Sequence, residues 1–210
     1  MINVFIADDH ALIREGIKNL LSTVSDITIV GETADPLEIS SLIQNVKCDI
    51  LILDLSMPGK DGLDVLKEIK NRFPGIKILI MTMLPEDQFA RRTLKAGSSG
   101  YLTKESAPDE LITAIRRIAS GRKYVSQNLA EKLAEDLDGT MDKPVQDILS
   151  DREFQILKLI AAGKSQTVIA DELSISSSTV NTYRSRILEK LNLNSTADLI
   201  HFAYQNKLII

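Results

Sequence analysis

The sequence predicts an α/β domain, a doubly wound parallel sheet of five strands, followed by a small all-α domain. Two patterns carry that expectation. Through residue 123, short β-rich apolar runs alternate five times with amphipathic segments, which builds a parallel sheet with helices on both faces. From Leu149 onward no strand-like run remains and only helical periodicity is left. At 210 residues the chain has room for two domains.

The first run, INVFIA (2–7), ends in Asp8 and Asp9, after which Leu12, Ile13, Ile17, Leu20 and Leu21 line one face of a helix. Further runs are ITIVGE (27–32), DILILDL (49–55), KILIMTM (77–83) and GYLTK (100–104). Helical stripes recur at Leu63, Leu66 and Ile69, and again at Leu111, Ile112, Ile115 and Ile118. Pro36, Pro85 and Pro108 each fall near a helix start, where a missing N–H costs nothing. Gly121 is placed to end the fifth helix.

Residues 124–147 read as an acidic linker with one short helix near Asn128–Leu137, ending in DLDGTMDKPVQD. The all-α domain spans 148–210, with helices near 151–162, 165–173, 177–191 and 196–206, broken at Gly163 and at SISSS (174–178).

Composition narrows the function classes. The formal net charge of −4 conceals a division. Basic and acidic side chains number 16 and 17 in residues 1–123, 2 and 6 in 124–147, and 7 and 6 in 148–210. Total charge alone therefore does not suggest a nucleic-acid binder. The single cysteine, Cys48, excludes a disulfide framework within the chain and reads as a small core hydrophobe. No apolar stretch approaches the ~20 residues of a membrane span, and the N-terminus lacks the basic residues and cleavage site of a signal peptide. A cytoplasmic protein is expected.

One aspartate suffices to cap a helix, so the adjacent pair Asp8-Asp9 needs a further reason. Ligand sites in open parallel sheets lie at the carboxyl ends of the strands. There stand Asp8 and Asp9 after strand one, Asp54 after strand three, Thr82 after strand four and Lys104 after strand five. Two like charges ~4 Å apart repel by about 4 kcal/mol at an effective dielectric near 20. Three clustered carboxylates therefore call for a cation, and an all-oxygen set suits Mg²⁺. With the metal bound, one carboxylate can attack a phosphoryl group, and the hydroxyl and ammonium can neutralise the transferred oxygens.

Residues 1–123 resemble the receiver domain of a two-component response regulator, a flavodoxin-like fold. The matching residues are DDH (8–10), Asp54 within LDLSMPGKDG (53–62), Thr82 in MTM and GYLTK (100–104). The resemblance implies that Asp54 accepts phosphate from a sensor histidine kinase. It implies that Asp9, Asp54 and the backbone carbonyl of Ser56 bind Mg²⁺, with Asp8 assisting through water. Thr82 and Lys104 would contact the phosphoryl group, and Tyr101 would rotate inward when Thr82 moves. Ser56 and Leu84, two residues beyond the acceptor and the hydroxyl, border the path of attacking water in this family. Apolar Leu84 is expected to slow self-dephosphorylation.

LSDREFQILKLIAAGKSQTVIADELSISSSTVNTYRSRILEKLNL (149–193) resembles the LuxR-type helix-turn-helix of the NarL/FixJ subfamily. Its markers include Leu149, Arg152, Glu153, Gly163, Thr179-Val180 and Lys190-Leu191. At 100° per residue, Val180, Ile187 and Leu191 share one face of the helix over 177–191, flanked by Tyr183 and Leu188. Ser178, Asn181, Thr182, Ser185 and Glu189 face the other way, as suits a helix in the major groove. Asn181 can contact adenine, and the hydroxyls of Ser178, Thr179, Thr182 and Ser185 can contact either base type. Arg184, Arg186, Lys190 and Lys164 read as phosphate contacts that position the domain. Asn181 and Tyr183 depart from the commoner Lys and His, which alters the expected target sequence.

These features predict a phosphorylation-switched transcription regulator that binds double-stranded promoter DNA as a homodimer, with RNA polymerase as a further partner. It is not a classical enzyme, since its chemistry is confined to phosphoryl transfer onto Asp54 and its slow hydrolysis. Other readings are a regulator that needs no phosphate, a Mg²⁺-dependent phosphatase with an aspartyl nucleophile, and a flavin carrier. Ser56 stands where such a phosphatase has its second aspartate, and Asp8-Asp9 would repel a flavin phosphate.

Overall fold

The computed structural model describes residues 1–131, 148–206 and 208. The chain forms two compact units, Met1–Gly139 and Thr140–Ile210. In the first, β1 (Ile2–Ala7), β2 (Ile27–Thr33), β3 (Ile50–Leu53), β4 (Lys77–Thr82) and β5 (Gly100–Thr103) pair in parallel in the order β2-β1-β3-β4-β5. Five helices intervene: α1 (Ala11–Ser22), α2 (Ile39–Ile43), α3 (Gly62–Arg72), α4 (Glu86–Lys95) and α5 (Pro108–Ala119).

Alternate residues of the strands point to opposite faces. Val4, Ile6, Ile50, Ile52, Leu79 and Met81 pack with Ile17 and Leu21 of α1 and Leu111, Ala114, Ile115 and Ile118 of α5. The intervening Leu51, Leu53, Ile78 and Ile80 are equally buried, so both faces of the sheet are covered and the strands read as continuous apolar runs. Pro108 takes the first turn of α5 and Pro85 the N-cap of α4, as the proline positions predict. Gly121 follows the end of α5 with φ +85°, a conformation that favours glycine.

Past residue 123, where the sequence places the start of the linker, the chain keeps its bonds to the sheet and to α4. Tyr124 donates its N–H to Ser99 at 3.0 Å and accepts from Tyr101 N–H at 3.2 Å, covering the edge of β5. Its ring is buried in the α1–α5 core. Ser126 then bonds both carboxylate oxygens of Glu86 at the start of α4, and Leu129 is buried in a short helical run at 127–131. The remainder of the expected linker helix lies outside the described residues.

In the second unit α6 (Asp151–Ala161), α7 (Gln166–Glu172), α8 (Ser177–Lys190) and α9 (Thr196–Gln205) enclose Phe154, Ile156, Leu157, Ile169, Val180, Ile187 and Leu199. Serine caps all four: Ser150, Ser165, Ser176 and Ser195 each accept a backbone N–H from the first turn. Residues 173–176 make the turn between α7 and α8, with Ser174 at φ 51° and Ile175 N–H on the Ala170 carbonyl at 2.9 Å. A four-residue turn between two helices is the helix-turn-helix arrangement.

Candidate functional site

Strand order reverses between β1 and β3, and the chain ends of those two strands carry the carboxylates. Each ladder runs one residue past its strand: Asp54 N–H bonds the Ala7 carbonyl, and Lys104 N–H bonds the Thr82 carbonyl, both at 2.9 Å. That registers Asp8, Asp54 and Lys104 on one rim. The loop after Asp54 is pinned by Gly62, where a Cβ would stand 2.4 Å from the Leu55 Cα, so only glycine fits.

Asp54 and Asp8 are almost wholly buried, at 1% and 2% exposure. Lys104 Nζ lies 2.7 Å from an oxygen of each. Burial alone would push the Lys104 ammonium toward deprotonation, but its hydrogen bonds to Asp54 and Asp8 outweigh that and hold its pKa above the ordinary lysine value. The other Asp54 oxygen accepts Ser56 N–H at 3.0 Å, and the other Asp8 oxygen accepts His10 N–H at 2.8 Å. The N-cap of α1 is His10 with no side-chain cap, so neither aspartate serves as the cap.

Asp9 completes the cluster. One of its oxygens is buried and accepts no hydrogen bond, although His10 Nδ1 stands 2.9 Å away. Ligand atoms of Asp8, Asp9, His10 and Asp54 all lie within 4.8 Å of one another. An orphaned carboxylate oxygen in an oxygen-rich set fits a hard divalent cation.

Thr82 is fully buried, with Oγ1 3.4 Å from Ser56 Oγ. Tyr101 does not enter the rim directly. It is fully buried, and its OH donates to the Leu84 carbonyl at 2.9 Å, while Leu84 N–H approaches Thr82 Oγ1 at 3.5 Å. The ring therefore already points inward. Cys48 is half-buried rather than core, and burial pushes its thiol up to about 11, which leaves it unreactive.

On α8, Ser178, Asn181, Thr182, Ser185, Arg186, Glu189 and Lys190 are exposed, whereas Val180 and Ile187 are buried. Thr179 and Tyr183 are half-buried, and Thr179 Oγ1 lies 2.7 Å from Ser176 Oγ. Arg186 lies over the Tyr183 ring. The expected phosphate contacts are engaged within the protein: Lys164 pairs with Glu172 at 2.5 Å and Lys190 with Glu153 at 2.7 Å. Arg184 bonds Asn181 and Thr196.

Sequence reasoning missed His10 and Arg14 as members of the rim. His10 Nδ1 lies 3.4 Å from Lys104 Nζ, and Arg14 donates to the Asp8 carbonyl at 2.6 Å. The signal for Arg14 was its place one helical turn beyond the DDH run.

A doubly wound sheet with three carboxylates and a lysine at its switch point, in one chain with a helix-turn-helix unit, defines a signal-receiving, DNA-binding regulator. Residues 4–116 match the response regulator receiver domain, and residues 147–203 match the bacterial regulatory proteins of the luxR family. The response regulator UvrY of Escherichia coli strain K12 is 34% identical over 209 residues, which is 99% of this chain and 96% of UvrY. The response regulator GacA of Pseudomonas aeruginosa is 35% identical over 210 residues, 100% of this chain and 98% of GacA. The RcsB response regulator of Salmonella typhimurium superposes with a TM-score of 0.78 at 27% identity, covering 100% of this chain and 98% of RcsB. RcsB of Salmonella enterica bound to a promoter in the presence of the phosphomimetic BeF3- gives 0.77 at 28% identity, covering 96% and 97% of the two chains. The chain belongs to the two-component response regulators of the NarL/FixJ type, DNA-binding transcription regulators switched by phosphorylation. Among the described residues no helix is long and apolar enough to cross a membrane.

Proposed function

We propose that Asp54 is the phosphoacceptor and that its phosphorylation by a sensor histidine kinase in the cytoplasm promotes dimerisation and promoter binding through α8. The supporting observation is the placement of Asp54. It is buried at the switch point beside Asp8 and Asp9, with one oxygen on Ser56 N–H and the other on Lys104. In the transfer, an Asp54 oxygen attacks phosphorus, an O–P bond forms as the N–P bond of phosphohistidine breaks, and the imidazole leaves. Lys104 and Thr82 then neutralise charge on the transferred oxygens. Asp9, Asp54 and the Ser56 carbonyl would hold Mg²⁺, with Asp8 acting through water; bound there, the ion supplies positive charge to the phosphoryl oxygens.

In the second unit, Ser178, Asn181, Thr182 and Ser185 face base edges, and Arg186 contacts phosphate. A dimer matches two half-sites on a two-fold operator, where RNA polymerase is a further partner.

The test is intact mass after incubation with acetyl phosphate and Mg²⁺, for wild type and Asp54→Asn, followed by promoter binding with each. A single phosphoryl adduct absent from the variant, with tighter DNA binding by the phosphorylated protein, is expected. No adduct and unchanged DNA binding would favour a regulator that acts without phosphate.

A further inference from the structure

Arg184 occupies an unusual place for a phosphate contact, because three of its nitrogens donate to the protein. Nη1 donates to Thr196 Oγ1 at 2.9 Å, while Nε and Nη2 both donate to Asn181 Oδ1, at 3.3 and 3.2 Å. Thr196 opens α9, so the guanidinium is anchored on a neighbouring helix, and the Arg184 side chain is half-buried. It is not free to swing outward as a solvated arginine is.

The consequence falls on Asn181, in the centre of the exposed face of α8. A guanidinium carries donors only, so the amide can meet it only with its oxygen, and chemistry alone fixes which way the amide faces. The oxygen has two acceptor positions, and both are used. What Asn181 then offers a base edge is a pair of N–H donors. The bidentate adenine contact expected from sequence needs an acceptor for N6–H as well as a donor to N7. Held in this way, Asn181 lacks the acceptor. Guanine, by contrast, presents two acceptors, N7 and O6, side by side in the major groove.

We propose that Arg184 is a positioning residue that sets the specificity of the recognition helix: by holding the Asn181 oxygen it makes Asn181 a donor-only reader matched to guanine rather than adenine. The proposal rests on the reading of the exposed α8 face as the base-reading surface. It moves Arg184 out of the set that contacts phosphate.

Those two roles differ in what salt does to them. A phosphate contact contributes about one unit to the slope of log affinity against log salt and is blind to sequence. A positioning residue contributes to discrimination and leaves that slope alone. The experiment uses the full-length protein and a duplex selected by it from a randomised pool. Binding is measured over a salt series to the selected duplex, to duplexes with each base pair exchanged, and to one with 7-deazaguanine at each guanine in turn. Asn181→Ala locates the base pair that Asn181 reads.

At that base pair wild type is expected to prefer guanine over adenine and over 7-deazaguanine by roughly tenfold or more. Arg184→Ala frees the amide to turn over, so the preference for guanine over adenine should fall to within about threefold with the salt slope unchanged. If Arg184→Ala does not fold, as judged by its thermal melt, Arg184→Met, which keeps an apolar stem and has no donor, carries the same expectation. A wild-type preference for adenine at that position overturns the proposal. So does a salt slope reduced by about one with discrimination intact, which would return Arg184 to the phosphate contacts. If Asn181→Ala changes discrimination at no position, the reading of α8 as the base-reading face fails as well, and the two failures are thereby told apart.

Discussion

Lys104 and Lys190 each reach a buried carboxylate at 2.7 Å, yet the two clusters they complete are opposite in charge balance. In the second unit, one ammonium meets one carboxylate. Glu153 is 3% exposed, and a single oxygen accepts from Ser150 N–H, Ser150 Oγ and Lys190 Nζ while the pair closes a capping box. On the receiver rim, one ammonium bridges Asp8 and Asp54, Asp9 stands beside them, and an Asp9 oxygen has only His10 Nδ1, 2.9 Å away, near it. A balanced buried cluster is structural and complete. A buried cluster with excess negative charge is held together only against its own repulsion, and such an imbalance marks chemistry.

The comparison breaks first at Lys104. Lys104→Met leaves two buried carboxylates facing each other, so stability in Mg²⁺-free buffer should fall by about 3–5 kcal/mol. Denaturant unfolding measures this, and added Mg²⁺ should restore part of the loss. A variant indifferent to Mg²⁺ would mean that the carboxylates are not a cation site.

Glu153→Gln probes the balanced side, with an expected loss of about 1–2 kcal/mol at neutral pH. Burial alone would raise the Glu153 carboxyl, but the hydrogen bonds from Lys190 and Ser150 win and hold it below its ordinary value of 4.5. A carboxyl with a depressed folded pKa stabilises fully above its unfolded pKa, and the contribution disappears as pH falls through the folded value. Wild type and variant should therefore begin to approach each other as pH falls past 4.5 and converge only below the lower, folded value. A difference that persists there would locate the effect in packing instead of charge.

The smallest expected effect returns to the rim. Leu84 is 9% exposed beside Thr82, and Leu84→Glu is expected to shorten the aspartyl-phosphate lifetime several-fold, less than about 1.4 kcal/mol in activation free energy. Loss of the phosphoryl adduct followed over time by intact mass decides it, and an unchanged lifetime would remove Leu84 from the water path.

Elements with one dominant period were legible before the structure. The α8 face of Ser178, Asn181, Thr182 and Ser185 is exposed and the Val180–Ile187 side is buried, as 100° per residue requires. The rim was legible because strand ends fall at fixed places in a parallel sheet, which brings Asp8, Asp54 and Lys104 together whatever the loops do. Contacts between periods were not. Nothing in the spacing of residues 184 and 196 shows that Arg184 reaches Thr196 on the next helix. Tyr124 stands alone in a polar stretch with no repeat, so its place beside Gly100 has no local signature.

That residue bears on how the receiver can be studied apart. β5 is the last strand of the sheet, and an uncovered last strand recruits strands from other molecules. A fragment ending at residue 123 would bare Tyr101 N–H and the Ser99 carbonyl and withdraw an aromatic plug from the core. Extending the fragment through residue 131 keeps the cover in place, together with the Ser126–Glu86 tie. Association seen in the shorter fragment alone would be an artefact of truncation, whereas association dependent on phosphate in the longer one would belong to the regulator.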